Sequence, residues 1–207
     1  MADKKLIALV QRHGETDTNK ENLFRSRLDP ALNDKGLSQA EQAAKAIAAE
    51  HKPDRIISSP LLRAVQTADI IAEALGGPAV EQDRGLLCWN LGFLSGKDKD
   101  TYAYILDFFI DNPKKPVPEG ESLDDLETRS FEFFEKEFKH EGLTLFVTHT
   151  SNIITLENLI NGNHDGRPEA GETSVEPGGT IGVYVDDSGK YSTDVLFGKE
   201  KEAVFGS

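Results

Sequence analysis

The sequence predicts an α/β protein, a three-layer αβα sandwich around a mostly parallel central sheet. Two observations carry the prediction. Leu6–Val10, Arg55–Ser58 and Leu143–Val147 are short runs that are largely apolar on both faces, as strands covered on both sides by helices must be. Longer stretches with apolar residues at helical spacing separate them, so strands and helices alternate.

Each element has its own reason. After the first strand, Leu37 to Glu50 reads as a helix with Ala40, Ala43, Ala44 and Ile47 on one face. The Arg55–Ser58 strand is followed by Ser59 as an expected N-cap and Pro60 as the first helical residue. That helix carries Leu61, Val65, Ala68, Ile71 and Ala72, and stops near Gly76-Gly77. A weak strand is expected at 79–81. Residues 84–121 read as irregular, with Gly85, Gly92, Gly96, Pro113, Pro116 and Pro118 around an aromatic-rich stretch. Tyr102, Tyr104, Phe108 and Phe109 either wall a pocket or, at helical spacing, belong to the core; the core role is expected. Ser122 with Asp125 three residues on marks a helix start, and Leu126, Phe131, Phe134 and Phe138 continue that helix. A helix over Ile153–Ile160 follows the Leu143 strand. Two strands, 180–185 and 191–197, close the chain around a turn at Asp186-Asp187-Ser188-Gly189. With no repeat or linker, residues 1–207 read as one domain with an insertion at about 84–121.

Composition narrows the function. The 207 residues hold 23 Lys and Arg against 36 Asp and Glu, a net charge of −13. Such a chain is a poor partner for a nucleic-acid backbone or an anionic membrane surface. A single cysteine, Cys88, excludes an intramolecular disulfide and a cysteine-based zinc site. No segment has the ~18 apolar residues of a membrane span. The five apolar residues at 6–10 fall short of the ~7–15 of a signal-peptide core. A cytoplasmic location is therefore expected; oligomeric state has no signal.

Ligands of open α/β sheets bind beyond the carboxyl ends of the strands. The first strand exits into Gln11-Arg12-His13-Gly14-Glu15-Thr16, the second into Ser58-Ser59-Pro60 with Arg63 one turn on, and the Leu143 strand into Thr148-His149-Thr150. Two arginines and two histidines at one edge of an acidic chain point to an anion site, with phosphate the expected anion. Guanidinium forks match phosphate oxygens, and a neutral imidazole can act as a nucleophile. His51, His140 and His164 have polar or loop neighbours and are expected to be merely solvated.

Five blocks, in order, resemble the histidine phosphatase superfamily, which includes the cofactor-dependent phosphoglycerate mutases. They are Arg12-His13-Gly14-Glu15-Thr16 with Asn19; Leu32-Asn33-Asp34-Lys35-Gly36 with Gln39-Ala40; Ser58-Ser59-Pro60-Leu61-Leu62-Arg63-Ala64 with Gln66-Thr67-Ala68; Pro118-Glu119-Gly120-Glu121-Ser122 with Arg129; and Val147-Thr148-His149. The resemblance implies a phosphoglycerate mutase-like fold and a reaction on a small phosphorylated molecule; no cofactor is expected, and no metal, because the strand ends carry no carboxylate cluster at metal-ligand spacing and two Arg and two His already supply positive charge. It implies that His13 takes the phosphoryl group, that Arg12, Arg63 and His149 bind its oxygens, and that Asn19 and the Thr150 backbone line the pocket. To attack, His13 needs one unprotonated nitrogen, so its other nitrogen should be held by an acceptor. His149 works better as a cation, a form that bound phosphate favours.

The pattern breaks at the general acid. The family stretch Leu-x-Glu-x-x-x-Gly-x-x-x-Gly corresponds to Leu86-Leu87-Cys88-Trp89-Asn90-Leu91-Gly92-Phe93-Leu94-Ser95-Gly96, which puts Cys88 in the glutamate's place. Glu121, Asp98 and Glu15 are the substitute acids to consider, Glu121 first, because its block follows the same insertion. Cys88 is not expected to be a nucleophile, since Leu94 stands where an arginine would be needed six residues on. Residues 92–97 are not a P-loop: the glycine spacing is one short, and Asp98 stands where Ser or Thr would hold magnesium. Leu91 replaces a tyrosine of the mutases, and the chain has no Arg-Arg pair. A histidine acid phosphatase-type phosphomonoesterase is therefore expected. The alternatives are a weakly catalytic or non-catalytic phospholigand-binding protein, prompted by Cys88, and a phosphoglycerate mutase.

Overall fold

A computed structural model describes residues 4–162 and 175–199; His164 lies outside them. Six strands, β1 (Lys4–Arg12), β2 (Arg55–Ser58), β3 (Val80–Gln82), β4 (Thr144–Thr148), β5 (Val175–Asp186) and β6 (Tyr191–Lys199), form one sheet in the order β3-β2-β4-β1-β5-β6. The pairs from β3 to β1 are parallel; β5 is antiparallel to both β1 and β6. The sheet is thus mostly parallel, and only β5 runs against the rest.

The period-2 alternation of the strands sorts their side chains to two faces. Leu9, Ile56, Leu145 and Val147 join Ala43, Ala44 and Ile47 of α2 (Asp34–Glu50) and Ala64, Ala68 and Ile71 of α3 (Leu62–Leu75). On the other face Ala8, Val10, Ile57 and Phe146 pack with Phe133 and Phe134 of α5 (Leu123–Glu137) and Ile153 and Leu156 of α6 (Thr150–Asn161). These two clusters are the two interfaces of the sandwich.

Helix caps set several boundaries that apolar spacing leaves open. Asn33 caps α2 by accepting from Gly36 N, so the helix begins three residues before Leu37. Ser122 and Asp125 form the expected reciprocal box at the start of α5. Gly76 ends α3 in the left-handed region, with φ +54°. Pro60 does not open α3: the helix starts at Leu62, and the Ser59 hydroxyl is bonded to a histidine ring instead of capping the helix.

The stretch expected to be irregular contains α4 (Lys99–Asp111), capped by the Asp98 carboxylate accepting from Thr101 N. Phe109 on α4, with Phe24, Trp89, Leu94, Val117, Leu123 and Leu126, forms a third cluster. Of the four aromatics in question only Phe109 is buried. Tyr102 packs against the cluster, while Tyr104 and Phe108 are 70% and 46% exposed. One further turn, α1 (Asp17–Lys20), follows β1 and is too short to leave a periodic signature.

Candidate active site

The strand exits meet as the parallel pairing requires. His13 N donates to Thr148 O at 3.0 Å and Ser59 N to Val147 O at 2.9 Å, so the ends of β1, β4 and β2 are tied side by side. Gly14 follows at a point where the loop lies against the start of α2; a methyl group there would run into the Gly36 carbonyl. The chain therefore leaves β1 sharply and presents His13 at the sheet's edge.

His13 is 1% exposed, and its hydrogen bonds define its tautomer. Nδ1 lies 2.6 Å from Gly14 O, which can only accept, so the proton is on Nδ1. Nε2 then keeps its lone pair and accepts from Arg63 Nε at 3.2 Å. Burial, then the charges of Arg63, His149 and Arg25, hold the imidazole well below its usual range. A neutral imidazole with one unprotonated nitrogen is what a nucleophile requires.

Arg63 is 1% exposed and fixed by its own donors: Nη1 to Leu28 O at 2.7 Å, and Nη2 to Ser26 O at 3.0 Å. Arg12 anchors through Nη1 to Val175 O at 2.7 Å. His149 is the N-cap of α6 and places its ring 5.1 Å from that of His13. Its Nε2 is 2.8 Å from Ser59 Oγ, while Nδ1 is buried with no hydrogen-bond partner. Burial, and then the arginines around it, hold His149 well below 6.5. The Thr150 hydroxyl and Arg25 Nη1 are likewise buried and unbonded. Buried polar groups without partners are rare, because each forfeits its hydration. Three of them line one cavity of about 300 Å³, together with Arg12, His13, Arg63 and Cys88. Orphaned donors beside cations fit a phosphoryl group, whose oxygens only accept.

Cys88 sits on the wall beside Arg63. Its Sγ donates to Ser26 O at 2.9 Å, and burial pushes the thiol up, so it stays protonated. Arg129, which donates from Nη1 to Gly85 O and Leu87 O, and Asn152, which donates to Leu87 O, hold the chain leading to it.

Two residues expected at the site are elsewhere. Glu121 does not line the cavity: its carboxylate accepts from Arg27, Arg129 and Asn90 N, and it ties the insertion to α5. Its ion pairs consume the acceptor capacity that an acid or base would use. Asn19 turns back to accept from Thr16 N and Thr16 Oγ1, closing α1 rather than facing the ligand. The other acids considered are also committed, Asp98 to the α4 cap and Glu15 to Lys35 and Asn33. The four aromatics of α4 do not line the cavity; Leu106 and Ile110 do.

Sequence reasoning missed three charged lining residues, Arg25, Lys99 and Glu127. Glu127 is the one carboxylate among the described residues that line the cavity. Its signal was available: it follows Leu123 by one turn, on the helix face that Leu123 and Leu126 turn inward. Arg25 lies in a loop and Lys99 opens α4, and nothing local announces that both reach the cavity.

Residues 8–174 match the histidine phosphatase superfamily (branch 1). The chain belongs to that superfamily. It is 34% identical to a metal-independent phosphoserine phosphatase of Arabidopsis thaliana over 151 residues, covering 69% of this chain and 63% of that protein. The chain thus spans less than two thirds of this plant relative's length. It is 36% identical to a 2,3-bisphosphoglycerate-dependent phosphoglycerate mutase of Parvibaculum lavamentivorans over 168 residues, 73% of this chain and 77% of the relative. A mycobacterial glucosyl-3-phosphoglycerate phosphatase in complex with VO3 has the same fold, with TM-score 0.80 at 23% identity, over 94% of this chain and 100% of that one. Among the described residues no group of three or more His, Cys, Asp or Glu is placed to hold a metal ion, and no helix is long and apolar enough to cross a membrane.

Proposed function

We propose that this superfamily member is a phosphomonoesterase that acts on a small phosphorylated molecule and carries the phosphoryl group on His13. The observation that carries the reading is the His13 tautomer. Gly14 O fixes the proton on Nδ1, and Nε2, unprotonated, accepts from Arg63 Nε at the wall of the cavity. Nε2 attacks phosphorus as the ester P–O bond breaks, and the electron pair of that bond leaves on the departing oxygen. Arg12, Arg63, the Thr150 hydroxyl and His149 Nδ1 are the donors for the three remaining oxygens, where transition-state charge collects. The phosphate dianion pulls His149 toward its cationic form, against the burial that disfavours its charge. Water then attacks phosphohistidine, releasing phosphate and restoring neutral His13.

Water, rather than a second alcohol, is favoured as acceptor. Leu91, apolar and part of the cavity wall, stands where the resembled mutases have tyrosine, and the chain has no adjacent arginine pair. The acid-phosphatase type remains part of this proposal. Incubation with a labelled phosphomonoester tests it. Wild type should carry an acid-labile, alkali-stable label that His13→Ala lacks. Label persisting in the variant overturns the assignment, and transfer of label to an added alcohol in preference to water overturns the hydrolase reading.

A further inference from the structure

The His13 tautomer depends on where the Gly14 carbonyl points, and glycine cannot fix that direction by itself. The close approach of α2 requires a residue without Cβ at position 14, and glycine is the residue whose backbone torsions are least restrained. The surrounding chain therefore holds both peptide groups that flank it. In the first, His13 O accepts from Gly178 N at 3.1 Å, and Gly14 N donates to Thr67 Oγ1 at 3.2 Å. In the second, Gly14 O accepts from His13 Nδ1 at 2.6 Å. The N–H at the far end of that same peptide, Glu15 N, donates to Gln39 Oε1 at 2.8 Å. Gln39 lies on α2 and packs against the start of β5: a methyl group on Gly178 would come within 2.7 Å of Gln39 Cβ.

We infer that Gln39 is a positioning residue for the nucleophile: through the Gly14–Glu15 peptide it keeps the His13 proton on Nδ1 and Nε2 unprotonated. The inference rests on the phosphatase reading and adds to it a side chain outside the cavity wall. Gln39 acts in two ways. It fixes the plane of the peptide, so Gly14 O stays within reach of Nδ1. An acceptor on the amide N–H also polarises the amide and makes its oxygen a stronger acceptor, as linked hydrogen bonds do. That strengthening matters during the reaction. As the bond from Nε2 to phosphorus forms and the ester P–O bond breaks, positive charge spreads over the ring. The Nδ1 proton stays in place and becomes a stronger donor, and a polarised Gly14 O meets it. Burial and the charges of Arg63, His149 and Arg25 all disfavour a positive ring, whereas the bond to Gly14 favours it.

The test uses the full chain with 15N-labelled histidine rings. In wild type the His13 signals, assigned by their loss in His13→Ala, should show one protonated and one unprotonated nitrogen. Gln39→Met, close in shape but without the amide oxygen, should draw the two shifts together as tautomers mix. Its kcat/KM on 4-nitrophenyl phosphate should fall about tenfold, the lower end of what losing a partner that orients a metal-bound histidine costs. Gln39→Glu keeps an oxygen acceptor at the same reach and should restore the ring signals and most of the activity. Gln39→Asn, one methylene short of the bond, is the second loss variant if Gln39→Met does not fold; urea unfolding confirms that each protein is assayed folded. Ring shifts or kcat/KM unmoved in the loss variant, or Gln39→Glu no better than that variant, overturns the positioning role. A wild type without turnover, with the ring shifts moving as expected, overturns the phosphatase reading and leaves the positioning of His13 standing.

Discussion

Replacing Arg63 by alanine tests how far one buried guanidinium organises the site. Its Nη1 and Nη2 satisfy the Leu28 and Ser26 carbonyls, and its Nε rests on His13 Nε2. Hydrogen bonds to charged groups contribute roughly 1.5–3 kcal/mol each, so losing both carbonyl bonds costs roughly 3–6 kcal/mol. Part returns because Arg25 no longer faces the Arg63 charge. The catalytic cost is separate. Removing one preorganised transition-state donor typically lowers the rate ~10²–10³-fold. The assay is kcat/KM on 4-nitrophenyl phosphate, below the melting temperature of each variant, alongside urea unfolding of wild type, Arg63→Ala and Arg63→Lys. Lysine keeps the charge but not the fork, so it should recover part of the activity and little of the bonding to the two carbonyls. A folded Arg63→Ala with less than ~3-fold loss of kcat/KM would refute the reasoning.

Three further outcomes are expected. Cys88→Glu should raise turnover of alkyl phosphates more than of aryl phosphates, because an alkoxide needs a proton on leaving, an effect typically worth ~10²–10⁴-fold; an unchanged alkyl-to-aryl ratio, with no burst of released alcohol, counts against the missing-acid account. Glu121→Gln should leave that ratio alone and lower stability by about 1.5–3 kcal/mol, since it weakens the links to Arg27, Arg129 and Asn90; a selective loss on alkyl substrates would restore Glu121 as the acid. His13 and His149 both have pKa values depressed by folding, so above pH 6.5 they are neutral in both states and add no pH dependence. Below 6.5 the unfolded chain binds protons that the native site refuses, and stability should fall by up to about 1.4 kcal/mol per pH unit for each histidine, until the folded pKa is reached. A urea midpoint that is flat from pH 6.5 to 5 would contradict this, and bound phosphate should shallow the fall by favouring cationic His149.

The sequence by itself determined the layers and which residues stand at the strand exits. Strands apolar on both faces, separated by amphipathic helices, can bury their side chains only as a covered sheet, so Leu9 and Val10 had to face opposite helix pairs. The Arg12-His13-Gly14 and Thr148-His149 exits followed from where those strands end. Caps such as Ser122 with Asp125 were legible because their bonds span three residues. The tertiary structure alone decided which charged groups share the cavity. Glu121 looked like an acid by its place in the chain, but Arg27, 94 residues away, and Arg129 claim its carboxylate. Ser59 looked like a helix cap, but His149, 90 residues away, takes its hydroxyl. Arg25 and Lys99, far apart in sequence, line the same cavity only because distant segments pack together there. Local propensities depend on contacts within a turn or two, whereas a side chain's charge partner is set by packing between distant segments. The residues at the strand ends were therefore readable in advance, and the electrostatic partners of the walls were not.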